Sequence, residues 1–224
     1  MKTWLFTTTC ALVLLGATHP AQASVVTFTS EAAFVTAAGA GTVIDFDTDS
    51  GGNPIPDGAA ISTQYSSEGV AFQPFNGGSP IARVLFPRSS PNDLQAVPTT
   101  AGGGGFEADF SPNVSAVGLW VGDLQGPDFG NSLFEVLDAH GASLGSFNLF
   151  DQVGDGSFKY LFFGVVSDTP IAALRVSVGA LDYVTFDDLR FSNPVPEPGT
   201  LLLLASGGSV LMARRRKNRS GGAS

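Results

Sequence analysis

The sequence predicts a mainly β protein: one antiparallel β-sandwich, jelly-roll-like, over residues 24–193, with a single short helix near its start. Three observations carry this. Short apolar or alternating runs recur along the stretch, each bounded by Gly, Pro, Asn or Asp. After one early window everything reads as strand and turn. The stretch has the length of one domain and can bury a proper core.

The helix is expected over Ser30–Gly39, with Ser30 as N-cap, Glu31 at the positive helix end and Gly39 as C-cap. Strands are expected at Thr42–Phe46, Val70–Pro74 and Ile81–Phe86. Gly102–Gly105 reads as a flexible connector. Phe106–Phe110 alternates with period two, and Ala116–Gly122 is more apolar. Leu133–Asp138 and Ser143–Phe147 flank Ala139-His140-Gly141-Ala142, a hairpin turn. Tyr160–Val166, Ala173–Val178 and Tyr183–Phe191 complete nine or ten strands, a count typical of a sandwich or jelly roll.

Both flanks are addresses. Met1-Lys2, the apolar Trp4–Gly16 and Ala21-Gln22-Ala23 form a signal helix over residues 1–23, which signal peptidase is expected to cut between Ala23 and Ser24. At the other end, residues 194–224 hold Pro196-Glu197-Pro198, an apolar run Gly199–Ala213, and Arg214-Arg215-Arg216-Lys217. The run reads as a short transmembrane helix. Its 15 residues would cover roughly 22 Å, less than a ~30 Å hydrocarbon core. That suits a temporary stop. The basic cluster stays inside and residues 24–193 are placed outside. Pro198 keeps the motif extended.

This order of parts resembles the PEP-CTERM sorting domain of Gram-negative bacteria. The resemblance implies recognition of Pro196, Glu197 and Pro198 by an exosortase, with Arg214, Arg215 and Arg216 as the basic stop. It implies export across the inner membrane, transient anchoring, and final placement at the cell surface or outside, in exopolysaccharide or biofilm. The phrases Val43-Ile44-Asp45-Phe46-Asp47, Tyr65 to Phe72 and Phe186-Asp187-Asp188-Leu189-Arg190-Phe191 also resemble galactose-binding-like jelly rolls in outline.

Charge narrows the partners. The chain is −9 overall, but residues 24–193 hold 5 basic against 19 acidic residues, a net of −14. Such a body repels nucleic acid. Cys10 is the only cysteine and lies in the signal peptide, so the body has no disulfide. His140 is its single histidine, which leaves no Cys/His centre and no His-rich zinc site. Asp45 and Asp47, read on one face of the first core strand, and Asp187 and Asp188 in the last, are candidate ligands for a structural calcium ion; surface carboxylates protecting sheet edges are the plainer reading. Asp123, Asp128, Asp151 and Asp155 sit among loop glycines. Trp120 reads as core; Tyr65, Tyr160 and Tyr183 are the other rings a sugar could stack on.

The expected role is structural or adhesive within exopolysaccharide, and not enzymatic. A calcium-dependent carbohydrate-binding module is the alternative; a glycan hydrolase, needing two carboxylates converging in a cleft, is the second.

Overall fold

The computed structural model describes residues 23–84, 87–97, 103–125, 131–179 and 183–193. The signal segment, the Pro-Glu-Pro motif, the apolar run, the basic stop and Asp128 lie outside the described residues. The strands are β1 (Val25–Phe28), β2 (Thr42–Ile44), β3 (Val70–Pro74), β4 (Ser79–Arg83), β5 (Asp93–Val97), β6 (Gly104–Gly122), β7 (Leu133–Leu137), β8 (Ser143–Asn148), β9 (Tyr160–Val178) and β10 (Thr185–Ser192). Helix α1 spans Glu31–Ala38 and α2 spans Leu149–Val153.

β6 and β9, 19 residues each, organise everything else. Their first and second halves belong to different layers. The second half of β6 pairs with β10 on one side and with the first half of β9 on the other. Beyond β10 lie β5 and β2, with β4 outside β5, and β1 closes the far edge along β9. This is sheet I. The first half of β6 pairs with β3 and with the second half of β9, which continues to β7 and β8. This is sheet II.

A change of side-chain parity makes the turn between layers possible. In β6, Phe106, Ala108 and Phe110 are buried before the irregularity at residues 109–116, and Val117, Leu119 and Val121 after it. An irregular register adds residues to one strand and lets it bend while both halves keep an inward face. Aromatic contacts join the layers: Phe106 meets Phe186 at 5.4 Å between ring centroids, Phe110 meets Phe191 at 5.2 Å, and Phe134 meets Phe163 at 5.0 Å edge-on.

A second, smaller core lies on the outer side of sheet I. There α1 lays Phe34 and Ala38 against Phe162 and Ala116. The helix starts as its sequence dictates, with the Ser30 hydroxyl accepting from the Ala33 amide, and ends at Gly39 with φ 82°. A Cβ on Gly164 would stand 2.8 Å from the Phe34 ring, so glycine there lets the helix sit close.

Several expectations are corrected. Gly104 and Gly105 are no connector: they open β6, buried, and a Cβ on Gly105 would meet the Val176 carbonyl oxygen at 2.3 Å. The runs 106–110 and 116–122 are one strand, as are 160–166 and 173–178. The first core strand stops at Ile44, and Phe46 has φ 62°, so Asp45 and Asp47 lie in the turn beyond it and not on a strand face. Asp151 is in the first turn of α2. Trp120 is half-buried and belongs with the outer cluster, not between the sheets. β1, β5 and α2 were not anticipated. The pairing of β2 with β10 places the expected first and last core strands side by side. Among the described residues no helix is long and apolar enough to cross a membrane.

Candidate functional site

The acids singled out from the sequence hold the chain to itself. Asp187, fully buried, accepts from the amides of Arg88 (2.9 Å), Ser89 (2.8 Å) and Asp188 (2.7 Å) and from the Ser89 hydroxyl (3.1 Å). Burial pushes its carboxyl up to about 7, with the Ser89 and Asp188 amides pulling the other way. Asp188, at φ 46°, pairs with the Arg88 guanidinium, which lies 4.0 Å from the Trp120 ring centre. Asp47 accepts from the Asn92 amide at 2.7 Å, and Asp45 from the Asp47 amide at 3.1 Å. Burial raises the Asp47 carboxyl as well. These contacts clamp segment 87–92 onto sheet I. Among the described residues no group of three or more acidic, histidine or cysteine side chains comes together as a metal ion would require.

Nor do the other chemical candidates gather. His140 stands in the exposed hairpin turn, its amide on Asp138 at 2.8 Å. Glu107 and Asp109 share the Gln73 amide group at 2.9 Å each, on the outer face of sheet II. Arg175 binds Glu107 at 2.6 Å and Glu135 at 3.5 Å on the same face, its guanidinium 4.5 Å from the Phe75 ring centre. A cavity of about 140 Å³ lies beside Gly41, Glu68, Pro112 and Asn193, and Glu68 is the only carboxylate among its described lining residues.

Two exposed aromatic rings stand at one end of the sandwich. Tyr160, which starts β9, and Thr185, which starts β10, both pair with Gly122 at the end of β6. Two residues ahead of each stands an exposed ring: Phe158 at 85% and Tyr183 at 62%. The Phe158 loop is tied down. Its amide donates to Asp123 Oδ1 at 3.2 Å, the Gly156 amide to the Leu124 carbonyl at 2.9 Å, and the Asp123 amide to the Lys159 carbonyl at 3.4 Å. Phe158 itself has φ 57°, a conformation an aromatic residue adopts at a cost. Ser157 and Asp155 brace the same turn through two bonds.

Of the rings named from the sequence, Tyr183 is the exposed one. Tyr65 is buried between the layers, and Tyr160 folds across Gly122 to meet Thr185 Oγ1 at 3.0 Å. Phe158 was missed. Its signal was available: a Phe set among turn formers in Gly154-Asp155-Gly156-Ser157-Phe158-Lys159.

Among solved structures, the chain is similar to the CBM22-1 xylan-binding domain of a Paenibacillus barcinonensis protein, at 14% identity and TM-score 0.40, over 70% of this chain and 98% of that one. A family 29 carbohydrate-binding module shows 12% identity and TM-score 0.32, over 70% and 97%. A bacteriophage CBA120 tailspike domain shows 12% and 0.34, over 55% and 19%. No curated protein matches the sequence. A family model described as the PEP-CTERM protein-sorting motif matches residues 194–217, so the chain carries that sorting motif immediately after its last described residue, Asn193.

Proposed function

We propose that this protein is exported, held at the membrane by its C-terminal segment until an exosortase processes it, and then serves as a structural or adhesive component of exopolysaccharide. The sorting motif at 194–217 carries the reading. The fold agrees with processing at both ends. β10 is an inner strand of sheet I, paired on both edges, and it finishes at Ser192. Cutting beyond Asn193 therefore leaves the described pairing partners of β10 in place. At the other end, the Ser24 amide donates to Asp168 Oδ1 at 2.9 Å. Cleavage between Ala23 and Ser24 would turn that amide into an ammonium already facing a carboxylate.

Intact-mass measurement on protein from the membrane and from the culture fluid tests this. The expected result is a chain beginning at Ser24 and lacking Arg214–Arg216 in the released fraction. A full-length chain dissolved in the cytosol would overturn it. The second reading, a carbohydrate-binding module, is favoured by one observation: the exposed Phe158 and Tyr183 at a single end of the sandwich.

A further inference from the structure

We infer that the end of the sandwich bearing Phe158 and Tyr183 is a contact site for a neutral polysaccharide, and that the C-terminal anchor holds it facing away from the membrane. This deepens the adhesive reading above and rests on it for the orientation. The strands β9 and β10 flank β6, so the two loops start about 10 Å apart, two strand spacings. That separation lets one extended sugar chain lie across both rings. Aromatic faces stack on the apolar faces of sugar rings while the hydroxyls stay in water. The Phe158 turn is fixed by three hydrogen bonds to Asp123 and Leu124, so its ring is presented with little ordering left to complete.

Two features select this occupant over a bilayer or a charged glycan. The sorting segment leaves from the opposite end of β10, whose eight residues span about 26 Å. A site at the start of β10 therefore points outward when the chain is anchored. The same loops carry Asp123 and Asp155 against Lys159, on a body with a net charge of −14. An anionic polymer such as a uronate would be repelled.

The test is affinity gel electrophoresis of the full chain, purified in mild detergent, through gels containing galactomannan, hydroxyethylcellulose or alginate. Retardation is expected in the neutral gels and not in alginate. Phe158→Ala and Tyr183→Ala should each weaken it about two- to tenfold, the worth of one aromatic contact. Val26→Ala, at another exposed apolar residue, on the edge strand β1, should leave it unchanged. Matching thermal melts of all variants establish that the fold is intact. Absence of retardation in both neutral gels, equal retardation in alginate, or retention that survives the Phe158/Tyr183 double variant would each overturn the inference. The mass measurement above reports on sorting independently, so failure of one is not failure of the other.

Discussion

The two outer faces of the sandwich obey one alternation and meet opposite fates. On sheet I the outward positions of β6 and β9 are Ala116, Gly118, Trp120, Phe162, Gly164 and Val166, small or apolar. On sheet II the same two strands turn out Glu107, Asp109 and Arg175. The difference is cover. Helix α1 and segment 87–92 lie over sheet I, so its outer side is a second core with buried acids inside it. The Gln73–Glu107–Arg175–Glu135 row on sheet II has no helix over it; it runs across four strands, with the one cation shared by two carboxylates and the Phe75 ring against it. An outward-facing position thus takes its chemistry from the next layer, and energetic weight follows cover, not strand membership.

The contrast can be broken most severely at Phe34. Phe34→Ala would uncover Phe162 and leave a cavity under α1, at a cost of about 3–5 kcal/mol. A urea titration reads this as a lowered midpoint; a loss below about 1 kcal/mol would show that α1 contributes little cover.

The buried acid gives an effect on the order of 4 kcal/mol on the same face. The folded Asp187 carboxyl titrates near 7, above its unfolded value near 4. Between these the folded state holds a proton that the unfolded state has released. Stability therefore falls as pH rises from about 4 to about 7, then levels. Asp187→Asn should remove this part of the slope, seen by comparing thermal midpoints of both proteins from pH 4 to 8. Parallel curves would place the carboxyl outside that window.

Arg175 should show the smallest effect. Arg175→Ala removes two partly buried ion pairs and the contact with Phe75, worth about 1 kcal/mol together and weaker in salt. A loss comparable to that at Phe34 would mean that the two faces are energetically alike after all.

Legibility in the sequence followed the same division. Helix α1, β3 and the β7–β8 hairpin were readable because caps, turn residues and alternation are local. β5 was not, because Asp93 and Gln95 look solvated and are buried under other segments. β1, four residues long, has too short a pattern to register. α2 escaped although Asn148 caps it, since five residues show no helical period. For the site, Tyr183 was named and Phe158 was not; of the acids picked for calcium, Asp47, Asp187 and Asp188 bond segment 87–92, and Asp45 accepts from the Asp47 amide.

By itself the sequence determined the sorting segment at 194–217, the thiol-free acidic body and its β character, because each is written in contiguous residues or in composition. Only the tertiary structure decided that four apolar runs are two bent strands, which outward faces are covered, and which aromatics reach water. Those are questions of what packs against what across long sequence separations. A period-two pattern states that a residue alternates; the partner layer determines whether it is buried.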